Sequence, residues 1–336
     1  MSTSDVNEWI SDQVEQRTLQ DWIQDLGPFV MLFGLMIIFS LTTDRFLSEG
    51  NLLDNVAKNA VTLLLIALAG TFPILQQSID LSVESVVLLT GVVTVILIAE
   101  FQLGLLAIPL AIGVGMLAGL FNGLVFTKLK VPSFLVTLGT LSVLAGVGKI
   151  ITGGSTITFR NESIRAISTG QVVIPFTDFG IPNLVIWGLL IYGATIVLAF
   201  RTKFGRYCFA LGENERVVEL AGAKVDRYKI YPFVLSGLLC GIAGVLLTLR
   251  ISSASPNIGS GNLLPSIAAI VMGGTALTGG VGGPHRTILG VLVIAVLNNG
   301  MNLLAVDSFV QEIILGLVVV SAVALSIDRD KIDVVK

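Results

Sequence analysis

Amide side chains inside an otherwise apolar segment are the first candidates for chemistry in this chain. Asn298, Asn299 and Asn302 lie within one apolar run, and Asn298 and Asn302 are four residues apart, which places them on one face of a helix. Polar groups at membrane depth either hydrogen-bond to neighbouring helices or line a polar path. The sequence leaves both interpretations open, and we take the three asparagines as candidates for a translocation path.

Two carboxylates show the same spacing. Asp80 and Glu84 are four residues apart at the start of another apolar run, directly after Gln76 and Gln77. Their position near the end of a span favours a structural role, because such side chains are able to reach water. Asp80 is nevertheless kept as a fourth candidate for the path.

The residue types that support catalysis or metal binding are scarce. There is one histidine, His285, and the two cysteines, Cys208 and Cys240, lack the spacing of a metal site or a structural disulfide. Gly-Val-Gly-Lys at 146–149 lacks both the upstream glycine and the following Ser or Thr of a phosphate-binding loop. We therefore predict no catalytic residues, no metal, no cofactor and no nucleotide site in this chain.

Composition indicates what holds these residues in place. Hydrophobic residues make up 54% of the 336 residues and charged residues 13%, against roughly 25% charged in soluble domains. Apolar runs approach the ~20 residues that cross a bilayer. The prediction is an all-α, polytopic membrane protein with about ten transmembrane helices, near residues 28–43, 56–75, 82–99, 104–127, 132–152, 182–200, 230–250, 263–279, 286–305 and 309–326.

Charge predicts the orientation of these spans. If the N-terminus is cytoplasmic, 14 of the 20 Lys and Arg residues lie inside and 6 outside, as the positive-inside rule requires. Both termini are then cytoplasmic. We divide the chain into an amphipathic N-terminal segment (1–26), a transmembrane permease domain (27–327) and a cytoplasmic tail (328–336).

The longest basic interruption, residues 201–229, has seven Lys and Arg and four acidic residues. A short helix is predicted in its middle: Asn214 is a typical N-cap, Glu215 suits the positive end of the helix dipole, and Gly222 stands where a glycine ends a helix. Its apolar residues are Val217, Val218, Leu220 and Ala221. We interpret it as a contact surface on the cytoplasmic side.

Glycines predict close packing at one place and a turn at another. Gly115, Gly119 and Gly123 share one helix face, as do Gly237 and Gly241, and such faces let helix backbones approach closely in membranes. The glycine-rich run at 273–284 is poorly suited to a helix interior. It predicts a helix end followed by a tight cytoplasmic turn.

Several ordered pieces resemble one family. They are Asn-Leu-Leu at 51–53, Ile-Asp-Leu-Ser-Val at 79–83, Phe-Asn-Gly-Leu at 121–124, Val-Pro-Ser-Phe-Leu-Val-Thr-Leu-Gly-Thr at 131–140, Phe-Gly-Arg-Tyr at 204–207, Gly-Glu-Asn-Glu at 212–215, Leu-Ser-Gly-Leu at 235–238, Ile-Ala-Ala-Ile-Val-Met-Gly-Gly-Thr at 267–275 and Leu-Asn-Asn-Gly-Met-Asn-Leu at 297–303. In order and spacing they are similar to the permease subunit of ribose-type carbohydrate importers, ATP-binding-cassette transporters of the branched-chain amino acid and sugar permease superfamily.

The resemblance implies how such a chain works. Residues 213–223 would form a coupling helix that docks on a cytoplasmic ATPase with tandem cassettes, through Glu213, Asn214, Glu215, Val217, Val218, Leu220, Ala221 and Gly222. The ATPase would use the ATP. A periplasmic or lipid-anchored binding protein would deliver the cargo, and a second permease subunit, identical or related, would complete the route within the lipids of a bacterial inner membrane. No nucleic acid is expected as a partner.

The function predicted from the sequence is therefore alternating-access import of a sugar or sugar-like molecule. Two alternatives stay open. One is an ion-coupled secondary carrier, which would need charged groups at membrane depth. The other is a sibling permease of the same superfamily that carries a furanone signal or amino acids.

Overall fold

The computed structural model describes residues 19–173 and 180–326 of the chain. Its helices are α1 (Leu19–Thr42), α2 (Lys58–Leu75, preceded by a π-helix Asn51–Ala57), α3 (Val83–Ala99), α4 (Ala107–Lys128, preceded by a 3-10 turn Gly104–Leu106), α5 (Ser133–Thr152), α6 (Glu162–Thr169), α7 (Asn183–Arg201), α8 (Lys203–Glu213), α9 (Glu215–Leu220), α10 (Val225–Ile251), α11 (Leu263–Met272), α12 (Pro284–Leu303) and α13 (Ser308–Ser326). The strands are β1 (Ile157–Thr158), β2 (Gln171–Val173), β3 (Gly180–Pro182) and β4 (Ser253–Ala254).

The strands form two small antiparallel ribbons in an otherwise helical structure. Strand β1 pairs with β4, with Ile157 opposite Ala254, and β2 pairs with β3, with Val172 opposite Ile181. The β1–β4 ribbon ties the long connection between α5 and α7 to the chain after α10, and its Ala254 is buried in an apolar cluster. The β2–β3 ribbon lies within that connection.

Six helical stretches among the described residues are long and apolar enough to cross a membrane: Asn51–Leu75, Gly104–Lys128, Ser133–Thr152, Asn183–Arg201, Val225–Ile251 and Pro284–Leu303. Four shorter apolar helices, Leu26–Thr42, Val83–Ala99, Leu263–Met272 and Ser308–Ala322, coincide with the other predicted spans. The chain is thus a multi-pass, mainly helical membrane protein, and the count of ten spans stays a prediction.

Helix α2 is the centre of the bundle. Every residue from Ala60 to Leu75 is buried, and the helix contacts α7, α10, α11 and α12. By contrast, α4, α5 and α7 expose large apolar side chains, such as Leu117 (66% exposed) and Ile150 (81% exposed). In a membrane protein such side chains face lipid.

The glycine faces of α4 and α10 pack directly on each other, which confirms the prediction of close approach. A methyl group on Gly119 would overlap the carbonyl oxygen of Phe233, and one on Gly115 would overlap the carbonyl oxygen of Gly237. Since only hydrogen atoms stand at these positions, the two backbones touch.

The eighth predicted span is shorter than expected. Helix α11 ends at Met272 and not at residue 279, because the following glycine loop (residues 273–283) takes positive φ at Gly274, Gly279, Gly280, Gly282 and Gly283. Left-handed backbone of this kind is open to glycine and ends a right-handed helix. The helix end and tight turn predicted for the glycine-rich run at 273–284 are therefore present, and only the predicted end of the eighth span at residue 279 is wrong.

The predicted domain boundaries fall partly outside the described residues. Residues 1–18 and 327–336 lie outside them, so the tail and most of the N-terminal segment have no structural account here. Helix α1 begins at Leu19 and therefore runs without a break from the predicted N-terminal segment into the first apolar stretch.

Candidate functional site

A polar cavity of about 650 Å³ lies where the π-helix and the N-terminal part of α2 meet the ends of α10 and α12 and the starts of α11 and α13. Seven asparagines line it: Asn51, Asn55, Asn59, Asn262, Asn298, Asn299 and Asn302. Arg250, Gln311 and Glu312 add further polar groups. The predicted path residues Asn298, Asn299 and Asn302 are therefore brought together in one cavity.

Amide hydrogen bonds join the helices around this cavity. Asn51 and Asn299 donate to each other's side-chain oxygen, each at 2.9 Å, and both side chains are buried. The Nδ2 of Asn55 donates to the Asn51 oxygen at 3.1 Å. This reciprocal pair holds the π-helix against α12, so Asn299 has the structural role of an interhelical hydrogen-bonding group.

The other two predicted asparagines differ from Asn299. Asn302 is exposed, and its side-chain oxygen accepts a hydrogen bond from Gln311 Nε2 at 2.9 Å. The side-chain oxygen of Asn298 is buried and has no hydrogen-bond partner within the part of the chain that the structure describes. A buried carbonyl oxygen without a partner is uncommon, and the Asn298 side chain would have to turn before a molecule in the cavity could donate to this oxygen.

Asp80 does not belong to this cavity. It lies in the irregular segment 76–82 between α2 and α3, where its carboxylate accepts hydrogen bonds from Ser236 Oγ at 2.7 Å and from the Ser82 backbone N–H at 2.9 Å. Ser82 Oγ in turn accepts from Asn122, whose oxygen accepts from Thr140. The network joins this segment to α4, α5 and α10, which supports the structural interpretation of Asp80.

Glu84 likewise has a structural contact. Its carboxylate accepts from the backbone N–H groups of Gly261 at 3.1 Å and Leu263 at 3.2 Å. These are free N–H groups at the start of α11, so the carboxylate of α3 caps that helix.

The short helix in the basic interruption is α9. The Asn214 side chain accepts from the backbone N–H groups of Arg216 at 3.0 Å and Val217 at 3.3 Å, which confirms its predicted capping role. Gly222 has φ +77°, and the Ala223 and Gly222 N–H groups donate to the carbonyls of Val218 and Glu219. This pairing is a Schellman motif.

The residues of this segment that are predicted to dock on the ATPase are mostly exposed. Val217 is 60% exposed and Leu220 is 80% exposed, and Glu213, Asn214, Glu215, Ala221 and Gly222 are also exposed. Val218 differs, because it is only 3% exposed and anchors α9 to the rest of the protein. Glu215 also forms an ion pair with Lys229 at 2.6 Å.

The cavity contains residues that sequence reasoning missed. Asn51, Asn55 and Asn59 recur every four residues, the same signal that singled out Asn298 and Asn302. Arg250, whose guanidinium donates to Asn59 Oδ1 at 2.9 Å, has no comparable local signal, because its partner is far away in the chain. Among the described residues, no cluster of three or more His, Cys, Asp or Glu side chains is arranged to hold a metal ion.

The comparisons with known proteins agree with this architecture. Residues 52–323 match the family described as branched-chain amino acid transport system, permease component. The ribose import permease protein of Bacillus subtilis is 39% identical over 323 residues, which cover 95% of this chain and 98% of that protein. The ribose import permease protein of Haemophilus influenzae is 37% identical over 300 residues (88% and 90%).

A relative that is named for a different sugar is also similar. The L-arabinose transport system permease protein of Escherichia coli is 35% identical over 301 residues, which cover 89% of this chain and 88% of that protein. No solved structure matches the chain.

A multi-pass helical bundle with a polar cavity among its helix ends is an architecture that suits a membrane transport component. The chain belongs to the family of branched-chain amino acid transport system permease components. Within that family it is similar to sugar import permeases over nearly its whole length, which confirms the resemblance to ribose-type importer permeases.

Proposed function

We propose that this chain is the membrane subunit of an ATP-driven importer that carries a sugar or a sugar-like small molecule by alternating access. The observation that carries this proposal is the amide-lined cavity. Amide side chains offer both donors and acceptors without net charge, and they match the hydroxyl groups of a neutral sugar. The relatives are named as ribose and arabinose permeases, and these names indicate the same class of cargo.

The energy source is a partner ATPase that contacts α9. The exposed apolar side chains Val217 and Leu220 stand beside the charged groups of Glu213 and Glu215, a combination that suits docking into a protein groove. ATP is bound by the partner, and this chain supplies the surface through which nucleotide-driven closure acts. A tandem-cassette ATPase, a substrate-binding protein and a second permease subunit complete the proposed assembly.

The proposed orientation places α9 and both termini in the cytoplasm of a bacterium, with the chain in the inner membrane. One end of the bundle carries the basic groups that the positive-inside rule assigns to the cytoplasm. Lys128 at the end of α4 pairs with Asp226 at 2.5 Å at the start of α10, and Gln76 at the end of α2 donates to the Lys229 carbonyl at 3.1 Å. The basic interruption and the cytoplasmic end of α4 thus share one face.

The test is uptake of labelled sugars by proteoliposomes that contain the chain with its ATPase and binding protein. We expect uptake that requires ATP. Asn298→Ala should lower uptake at limiting sugar about five-fold, because one hydrogen bond contributes roughly 1 kcal/mol. Asn257→Ala, which changes an exposed asparagine outside the cavity, is the matched control and should leave uptake unchanged.

Uptake driven by a sodium or proton gradient without ATP would favour the ion-coupled alternative and overturn the proposal. If uptake of amino acids or a furanone exceeded that of every sugar, the cargo assignment would be wrong while the ATP-driven mechanism would stand.

A further inference from the structure

Three chain segments meet at one point beside α9. They are the segment at the end of α2, the end of α8 and the glycine loop. We call their contact the junction, and it is formed by Leu75, Gln77, Gly212, Gly279 and Gly280. The Gly280 N–H donates to the Leu75 carbonyl at 2.9 Å. The Gln77 side-chain Nε2 donates to the Gly212 carbonyl at 2.7 Å.

The backbones at the junction are in direct contact. A methyl group on Gly212 would overlap the Leu75 carbonyl oxygen and the Gly280 nitrogen. A methyl group on Gly279 would stand 2.7 Å from Gln77 Cγ and 3.0 Å from Gly212 Cα. Because no flexible side chain separates Gly212 from its neighbours, a displacement of α8 has to move the end of α2 and the glycine loop as well.

Gln77 holds an unusual backbone conformation at this point. Its φ is +60°, in the left-handed region that glycine adopts freely and other residues rarely adopt. Glycine would fit this backbone with less strain but would have no side chain to reach Gly212. Retention of a strained conformation at a contact point indicates that the side chain has a use there.

The junction joins the proposed coupling surface to the cavity. Helix α8 continues through Asn214 into α9. Helix α2 leads from the junction to Asn59 and Thr62 in the cavity wall, and the glycine loop leads into α12, which carries Asn298 and Asn299. One group of contacts therefore links α9 to two of the helices that shape the cavity.

We infer that Gln77 is a positioning residue for energy coupling: its side-chain N–H ties the end of α8 to the end of α2, so that movement of α9 reaches the cavity. This inference rests on the proposed function and names a side-chain contact that acts together with the backbone contacts of Gly212 in coupling. Gln77 is exposed and lines a surface hollow beside Glu213, Asn214 and Glu215, and we place its action on the cavity in its contact with Gly212.

The test uses the full complex of this chain with its ATPase and binding protein in proteoliposomes. Gln77→Gly removes the donor and relieves the strained backbone, so a loss of coupling would come from the missing side chain. Gln77→Glu keeps the length of the side chain but lacks the N–H donor. The matched control is Gln102→Gly, because Gln102 is the other described glutamine with positive φ (+53°) and lies exposed between α3 and α4.

For both Gln77 variants we expect unchanged amounts of assembled complex and unchanged basal ATP hydrolysis, with sugar uptake per ATP lowered about five-fold, the effect of losing one hydrogen bond. Gln102→Gly should match the unaltered complex. A normal ratio of uptake to ATP in Gln77→Gly or Gln77→Glu overturns the inference.

Loss of assembly in both Gln77 variants would also overturn the inference, since it would make the residue a structural one. Failure of the proposed function has a different signature. In that case the unaltered complex would show no ATP-driven uptake, and the inference would fall with it.

Discussion

At the scale of single residues, asparagines with the same sequence signal have different roles. Asn298 and Asn299 are adjacent, yet Asn299 is paired with Asn51, whereas the buried side-chain oxygen of Asn298 has no hydrogen-bond partner among the described residues. The difference arises because the side chains of successive helix residues point about 100° apart. The Asn299 amide therefore contacts the π-helix and the Asn298 amide does not.

The Asn51–Asn299 pair predicts a measurable loss of stability. Asn299→Leu removes one partner and leaves the buried Asn51 amide with unmade hydrogen bonds, which we expect to lower the free energy of unfolding by about 1–2 kcal/mol. The double variant Asn51→Leu/Asn299→Leu leaves neither amide unpaired and should lose less than the sum of the single changes. Unfolding followed in detergent measures both; strict additivity would contradict a direct pair.

At the scale of elements, helix packing depends on where glycines are placed. Gly119 stands against the Phe233 carbonyl, whereas a methyl group on Gly113 would meet nothing within 4 Å. Both glycines lie in α4, and both are flanked by mainly apolar residues. Gly119 belongs to the face of glycines spaced four residues apart, Gly113 does not, and the helix crossing with α10 falls on that face.

This difference predicts opposite results for one substitution. Gly119→Ala should force α4 and α10 apart and lower stability by about 1–3 kcal/mol, the usual effect of overpacking. Gly113→Ala should be neutral or slightly stabilising, because alanine favours helices more than glycine does. Thermal unfolding of the purified chain in detergent compares them, and equal midpoints for the two variants would contradict the packing described here.

At the scale of the whole molecule, the structure separates two faces that are available for partners. One carries α9 with Leu220, and the other carries the β2–β3 ribbon with Val172. The two native cysteines, Cys208 and Cys240, are buried, and burial raises the pKa of the Cys208 thiol to about 12. At neutral pH this thiol is therefore protonated, and only thiolates react readily.

These features allow a test of sidedness. In intact cells, a membrane-impermeant maleimide should label Val172→Cys but not Leu220→Cys, and inside-out vesicles should give the reverse. The unaltered chain should stay unlabelled between pH 7 and 8 on both sides. Added ATPase should protect Leu220→Cys. Labelling of Leu220→Cys in intact cells would contradict the proposed orientation.

The sequence by itself determined the class of protein, since low charge and repeated apolar runs permit few structures other than a helical membrane bundle. It also determined the cap of α9 and the glycine faces of α4 and α10, because a cap and a glycine face depend on neighbouring residues along one helix. It indicated the order of the spans through ordered motifs that resemble a permease family.

Only the tertiary structure decided which polar residues act together. Asn298 meets Asn51, Asn59 and Arg250 at one cavity, while Asp80 is bound into a separate network with Ser236. The contact of Gln77 with Gly212 likewise joins residues 135 positions apart. Such pairings depend on how the helices cross, and a helix crossing produces no periodic pattern in the local sequence.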